Sequence, residues 1–218
     1  KTIEIDKIAE SFILSHGGKP SFKGYGDEGN KFPSSVCISI NDEIVHGIPG
    51  DRVLKEGDIV SLDIGTYLNG YYGDSAVTIG VGKISIVAEK LIKTTKKCLF
   101  EGIKKAISGN SIGDIGNTVQ TIAEENNFSV VREFVGHGVG LKVHEDPQIP
   151  NYGKPKTGLK LEQGMVIAIE PMVNQGDYRT ISSDDGWTVK TADGSLSAHF
   201  EHTIAIYEKG NEILTLCN

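Results

Sequence analysis

The sequence is poor in cysteine, in basic charge and in long apolar segments. Its three cysteines, Cys37, Cys98 and Cys217, lie far apart and form no Cys-x-x-Cys pair, which argues against a disulfide framework and against a thiolate zinc site. The 29 acidic residues outnumber the 22 basic ones, a balance that disfavours binding to nucleic acid or to an anionic membrane. The longest apolar run, Met165 to Ile169, is far shorter than the roughly 20 residues that span a bilayer. We therefore expect a soluble protein of the reducing cytoplasm.

The sequence is long enough for one domain and is unusually rich in glycine. Its 218 residues include 27 glycines, which indicates many turns and close backbone approaches rather than disorder. Apolar residues repeat at helical spacing over 5–13, 88–106 and 112–123, and the second repeat is closed by Gly109. Strand-like segments lie near 35–40, 59–65, 71–79, 130–135, 165–170 and 200–207. Because no linker divides these elements, we predict a single α+β domain over residues 1–218.

Two acidic residues lie inside the strands of a predicted hairpin. Asn69-Gly70 is a strong signal for a two-residue turn, and such a turn places Asp74 opposite Gly65 and diagonal to Asp63 on one face of the sheet. The apolar residues between them then point to a core on the other face, so the carboxylates should lie opposite the helices. Two like charges this close destabilise a fold unless a cation lies between them. The alternative is a pair of solvated acids on an exposed hairpin.

Three further segments carry residue types that bind metals. Gly136 and Gly138 flank His137 and let the backbone come close to whatever the ring binds, although this motif alone favours a glycine-rich turn with an incidental histidine. Glu170 ends an apolar strand, where a buried charge needs a partner or a metal, and Glu201 lies inside another strand. Each acid alone also fits a strand edge in water. Together these residues form an oxygen-rich set with one imidazole, which suits one or two divalent ions such as Mn, Fe, Co or Zn. The set consists of Asp63, Asp74, His137, Glu170 and Glu201.

These motifs together resemble those of one enzyme family. They occupy residues 41–49, the hairpin with Asp63 and Asp74, and the segments 136–140, 169–172 and 200–203. On them the chain resembles the type I methionine aminopeptidases of the bacterial kind, within the M24 metallopeptidases, over essentially its whole length. The resemblance implies the pita-bread fold, in which two pseudo-symmetric halves share a central curved antiparallel sheet flanked by helices. It also implies that the additional N-terminal helix of the family is missing from this sequence.

The resemblance further implies roles for single residues. Two divalent ions, Co, Mn, Fe, Zn or Ni, are expected to be held by Asp63, Asp74, His137, Glu170 and Glu201, with Asp74 and Glu201 bridging. His144 is expected to contact the scissile carbonyl and the tetrahedral intermediate, and His46 the substrate near the cleaved bond. Glu170 is expected to handle the proton of the attacking water. The methionine pocket is expected to be lined by Tyr25, Phe32, Cys37 and Trp187. The alternative for these four residues is ordinary packing in the core.

The activity that the resemblance implies is removal of the initiator methionine from nascent proteins when the next residue is small. The enzyme is expected to be a monomer that binds neither nucleic acid nor membrane, with docking at the ribosome left open. The alternatives are an Xaa-Pro aminopeptidase or prolidase, and a noncatalytic binding module of the same fold. Two departures from the family pattern stand near the expected pocket: a longer loop over residues 26–31, and Val143 in place of an aromatic residue.

Overall fold

Three α-helices follow the apolar repeats of the sequence. A computed structural model of the chain describes residues 1–216, and its helices are α1 (Thr2–Ser15), α2 (Ile86–Ile103) and α3 (Ile112–Glu125). The hydroxyl of Ser85 caps α2 by accepting a hydrogen bond from the amide of Ala88 at 3.2 Å, as expected for a serine at this position. The prediction that α2 continues to Ala106 before Gly109 closes it is wrong. The helix ends at Ile103, because the amide of Ala106 bonds to the Ile103 carbonyl at 2.9 Å and starts a tighter turn.

A central antiparallel sheet and two small sheets contain the strands of the described chain. The central sheet contains β1 (Lys19–Pro20), β2 (Cys37–Ile40), β4 (Ile59–Leu68), β5 (Tyr71–Gly80), β7 (Gly136–Gly138), β8 (Glu145–Ile149), β9 (Val166–Ile169), β14 (Glu201–Ile206) and β15 (Asn211–Ile213). Their order is β1-β4-β5-β14-β9-β7-β8, with β2 paired to β4 and β15 paired to β14. The small sheets contain β6 (Ser129–Val130), β10 (Met172–Asn174) and β13 (Ser197–His199), and β3 (Glu43–Val45), β11 (Thr180–Ser182) and β12 (Val189–Thr191).

The predicted hairpin is confirmed in its register. Strands β4 and β5 pair along their whole lengths, with Gly65 opposite Asp74 and Asp63 opposite Ala76. The turn residues Asn69-Gly70 have φ angles of 51° and 96°, the left-handed values that a two-residue turn of this type requires. Because side chains alternate along a strand, Asp63 and Asp74 lie on the same face of the sheet.

Apolar side chains cover the other face of these strands. Helix α1 packs on β2 and β4 through a cluster that includes Ile5, Ala9, Ile38, Val60, Leu62 and Ile64. Helices α2 and α3 pack on β9 and β14 through Leu99, Ile103, Ile112, Ile115, Ile167, Ile169, Ile204 and Ile206. Since Ile204 and Ile206 take the even positions of β14, its odd positions, including Glu201, face the opposite side. The packing therefore agrees with the prediction that the acids lie opposite the helices.

The segment before His137 differs from the prediction. The prediction of a strand over 130–135 is wrong, because β6 ends at Val130 and belongs to a small sheet rather than to the central one. The amide of Val131 bonds to the Met172 carbonyl at 3.0 Å, after which the chain passes to the central sheet. His137 itself lies within strand β7 and not in a turn.

The glycines around His137 make room for neighbouring strands. A β-carbon on Gly138 would collide with the carbonyl oxygen of Asp146, and one on Gly136 with the carbonyl oxygen of Ala168. We expected these glycines to let the backbone come close to a ligand of the histidine. The contacts instead show that glycine is needed here for the packing of neighbouring strands. They let β7 approach its neighbours more closely than any other residue would allow.

Residues 1–216 contain three helices and two cysteines. None of the helices in this range is long and apolar enough to cross a membrane. Cys37 and Cys98 are buried free thiols, while Cys217 lies outside the described residues.

We expect Gly138→Ala to lower the free energy of unfolding by about 3 kcal/mol, because an added methyl group meets backbone atoms that cannot move without separating β7 from its neighbour. Gly73→Ala is the matched control, since a β-carbon at Gly73 would face open space and should change stability by less than about 0.5 kcal/mol. Urea unfolding of the two variants measures the difference. Equal midpoints for Gly138→Ala and the wild type would contradict the close strand approach.

Candidate active site

The register of the central sheet brings four acidic residues together. Asp63 on β4 pairs with Ala76 on β5, and Ala76 pairs with Glu201 on β14. Asp74 lies two residues before Ala76 on the same strand, so its side chain shares their face. Strand β14 in turn pairs with β9, and Glu170 directly follows the last residue of β9.

Two of these carboxylates are buried, and a third, that of Asp63, is half-buried. Asp74 and Glu201 are each 2% exposed. One oxygen each of Asp63, Asp74 and Glu201 has no hydrogen-bond partner within residues 1–216. Burial, followed by repulsion from the neighbouring carboxylates, raises the pKa of all three groups well above the usual carboxyl range. Buried negative charges this close together are costly unless cations compensate them.

His137 adds a nitrogen donor to the carboxylates. Its Nδ1 donates a hydrogen bond to the Gly138 carbonyl at 2.9 Å, so the neutral ring keeps its lone pair on Nε2. That Nε2 lies 3.4 Å from Oε1 of Glu170. A histidine whose second nitrogen is bonded to a backbone carbonyl has the arrangement typical of metal-ligating histidines.

Within residues 1–216, three overlapping groups of side chains could hold a divalent ion. Within each group the donor atoms lie within 4.8 Å of one another, and the groups are Asp63-Asp74-Glu201, His137-Glu170-Glu201 and Asp74-His137-His144. The unpartnered oxygens and the free lone pair fit a cation, and oxygen donors with an imidazole suit Mn, Fe, Co or Zn. The structure thus brings together all five residues that the sequence analysis names as candidate ligands.

His199 is a neighbour of this cluster that the sequence analysis does not single out. It is 1% exposed, and its Nε2 lies 3.4 Å from Oε2 of Glu170. Burial lowers the pKa of His199 to about 3, so the ring is neutral. Burial raises the pKa of Glu170 to about 7, and the nearby His137 opposes that rise. No local pattern identifies it, because His199 ends β13 in a small sheet whereas Glu201 begins β14 in the central sheet.

A cavity of about 310 Å³ opens beside the carboxylates. It is lined by the four predicted pocket residues Tyr25, Phe32, Cys37 and Trp187, and by further residues that were not predicted, among them Phe22, Val45, Phe134 and Met172. Cys37 on β2 pairs with Asp63 on β4, so the apolar wall adjoins the carboxylates. Burial and the adjacent carboxylates raise the pKa of the Cys37 thiol well above its usual value, which disfavours a thiolate nucleophile.

His46 and His144 border the same cavity. His46 lies near Phe134 and Trp187, with ring centroids 5.7 and 6.2 Å away, and burial lowers its pKa to about 4. The ring of His144 stands 4.4 Å from that of His137. Burial, followed by repulsion from His137, lowers the pKa of His144 to about 4. Both rings are therefore neutral near neutral pH, and each offers one donor and one acceptor.

Comparison with known proteins gives a consistent family. The sequence model of metallopeptidase family M24 matches residues 1–208. A methionine aminopeptidase of Clostridium perfringens is 59% identical over 216 residues, which are 99% of this chain and 85% of that protein. The crystal structure of methionine aminopeptidase from Rickettsia prowazekii superposes with a TM-score of 0.95 at 45% identity, covering 99% of this chain and 86% of that one.

A more distant structure shares the fold alone. The prolidase from Pyrococcus horikoshii superposes with a TM-score of 0.76 at 24% identity, covering 100% of this chain and 55% of that one. The closer structural match confirms the predicted pita-bread fold. Since the family match extends over nearly all of the sequence, the chain belongs to metallopeptidase family M24.

Proposed function

We propose that this chain is a metal-dependent aminopeptidase that removes the N-terminal methionine of peptides and nascent proteins whose second residue is small. One observation carries the proposal, namely that a cluster of buried carboxylates with a histidine adjoins an apolar cavity of about 310 Å³. The relatives named methionine aminopeptidase, which match almost the whole chain, support it. The soft and aromatic walls supplied by Cys37, Phe32 and Trp187 suit a thioether side chain.

Two divalent ions, Mn, Fe, Co, Zn or Ni, would be held by five side chains, of which Asp74 and Glu201 would contribute to both ions. The five are Asp63, Asp74, His137, Glu170 and Glu201. When bound, such ions would lower the pKa of a water molecule and polarise the scissile carbonyl. The free amine of the substrate would coordinate one of the ions or sit beside the carboxylates. This position limits cleavage to the first peptide bond.

The residues around the ligands would carry the proton transfers and the orientation of the substrate. Glu170, whose two carboxylate oxygens lie 3.4 Å from the Nε2 atoms of His137 and His199, would take a proton from the attacking water and deliver it to the leaving amine. His144 would donate a hydrogen bond to the carbonyl oxygen as negative charge develops. His46, near the aromatic rings of Phe134 and Trp187, would contact the substrate near the cleaved bond.

The proposal extends to the setting of the reaction. We propose that one domain over residues 1–218 works as a cytoplasmic monomer on nascent chains, which become accessible at the ribosome. The excess of acidic residues provides no electrostatic attraction to nucleic acid or to anionic lipid.

The activity is tested with tripeptides and added Mn²⁺, Co²⁺ or Fe²⁺. We expect release of methionine from Met-Ala-Ser and little release from Met-Leu-Ser. Glu201→Gln should reduce turnover by at least roughly 100-fold, because a proposed shared ligand loses its charge. Inactivity with every ion would contradict the enzyme assignment. Cleavage of Xaa-Pro peptides without cleavage of Met-Ala-Ser would favour the prolidase-like alternative instead.

We expect His144→Ala to lower kcat on Met-Ala-Ser by roughly 10²–10³-fold, because loss of one donor to a developing oxyanion has a cost of this size. KM should change little, since the methionine pocket is retained. His16→Ala, an exposed position at the end of α1, is the control. If His144→Ala had the same kcat as the wild type, the proposed hydrogen bond from His144 to the carbonyl oxygen would be contradicted.

Stability should depend on pH and on divalent ions together. Without ions, the carboxyl groups of the folded site keep protons that the unfolded chain releases, so their contribution to the free energy of unfolding falls as the pH rises, for Glu170 between 4.5 and about 7. The neutral rings of His46, His144 and His199 contribute in the opposite direction, with stability that rises up to about pH 6.5. Mn²⁺ at about 100 times its Kd should add about 2.7 kcal/mol. Glu201→Gln should unfold at a higher temperature than the wild type in EDTA and gain little from Mn²⁺. An equal gain from Mn²⁺ in both proteins would show that Glu201 is not a ligand.

A further inference from the structure

Tyr25 makes a polar contact with His144 that the proposed function leaves unused. The Tyr25 hydroxyl and Nδ1 of His144 lie 2.8 Å apart, between residues separated by 119 positions in the chain. The two rings meet edge to face, with centroids 5.0 Å apart. A hydroxyl that lines the pocket thus bonds to a catalytic candidate, which is a different role from that of an apolar wall.

The loop that carries Tyr25 is held by its own backbone. The amide of Tyr25 donates to the Phe22 carbonyl at 2.9 Å, and the Tyr25 carbonyl accepts from the amide of Phe32 at 2.8 Å. The next residue, Gly26, lies so close to the ring of Trp187 that a β-carbon would not fit. These contacts fix the position from which the hydroxyl of Tyr25 reaches His144.

The segment that carries His144 is held as well. Val143 is 5% exposed and belongs to the apolar cluster that includes Phe32. On the other side of the histidine, the carboxylate of Glu145 accepts a hydrogen bond from the amide of Lys142 at 3.2 Å. His144 itself is exposed, and its ring lies between the Tyr25 hydroxyl, 2.8 Å from Nδ1, and the ring of His137, whose centroid is 4.4 Å away.

The chemistry of the two partners favours one direction for the hydrogen bond. In a neutral imidazole one nitrogen carries the proton and the other accepts. An unprotonated imidazole nitrogen is a stronger acceptor than a phenol oxygen, whose lone pair is delocalised into its ring. Burial and the charge of Asp27 raise the pKa of Tyr25, so the phenol keeps its proton to donate. The bond then runs from the Tyr25 hydroxyl to Nδ1 of His144 and leaves the ring proton on Nε2.

We propose that Tyr25 is a positioning residue that fixes the orientation and the Nε2–H tautomer of His144, so that the ring presents a hydrogen-bond donor to the cavity. The role of this donor in turnover rests on the proposed function, whereas the tautomer does not. Tyr25 itself transfers no proton. Its hydroxyl acts on the substrate through His144, while its ring still forms part of the pocket wall.

Nitrogen-15 NMR of the metal-free protein at neutral pH tests the tautomer, with the His144 signals identified by their loss in His144→Gln. We expect a pyrrole-type Nε2 and a pyridine-type Nδ1 that shows the shift of a hydrogen-bonded acceptor. In Tyr25→Phe the Nδ1 signal should move to the position of a free pyridine-type nitrogen. A pyrrole-type Nδ1 in the wild type, or an Nδ1 shift that Tyr25→Phe leaves unchanged, would overturn the inference.

Kinetics separate positioning from pocket packing. With Mn²⁺ bound, Tyr25→Phe should lower kcat on Met-Ala-Ser roughly 10-fold, as expected for loss of an orienting partner, with KM little changed because the ring remains. Tyr72→Phe, whose ring packs on Tyr67 with centroids 4.8 Å apart, is the matched control and should keep the wild-type rate. A raised KM with unchanged kcat would reduce Tyr25 to a pocket residue. If the wild type releases no methionine, the proposed function fails, and the NMR result alone decides the tautomer.

Discussion

The cross-strand register of β4, β5 and β14 is the constraint on which the candidate site depends. Asp63, Ala76 and Glu201 are successive partners across these strands, and Asp74 lies on the same face. A slip of one residue in any strand would turn its acid toward the helices. The hydroxyl of Thr203 on β14 helps to hold this register, because it bonds to the carbonyl and to the amide of Asp74 at 2.8 and 2.9 Å.

The same register creates a local cost that the rest of the fold must offset. Three carboxyl groups each have a buried oxygen without a hydrogen-bond partner in the described residues, an arrangement that opposes folding while the groups are charged. The apolar packing of α1 on β2 and β4, and of α2 and α3 on β9 and β14, lies on the other face of the sheet. The apolar packing that stabilises the fold and the acidic residues of the candidate site thus lie on opposite faces of the sheet. The acids can therefore stay close together without interrupting the core.

Much of the fold and of the candidate site could be predicted from local patterns. The Asn69-Gly70 turn together with strand alternation was sufficient to place Asp63 and Asp74 on one face, because both signals act over a few residues. The strand expected over 130–135 failed for the opposite reason. Val130 pairs with Val173 in a small sheet, and an apolar run does not reveal which sheet will take it. His199 was missed because only the packing of β13 places it beside Glu170.

The sequence by itself determined the residue chemistry, the alternation of faces and the turn geometry, since these depend on side-chain type and on neighbours along the chain. The tertiary structure alone decided which proton each group keeps. Burial raises the pKa of Glu170 to about 7 and lowers that of His144 to about 4, and the bond between Tyr25 and His144 joins residues 119 positions apart. Desolvation and long-range hydrogen bonds arise only when distant segments pack together, and no local pattern encodes them.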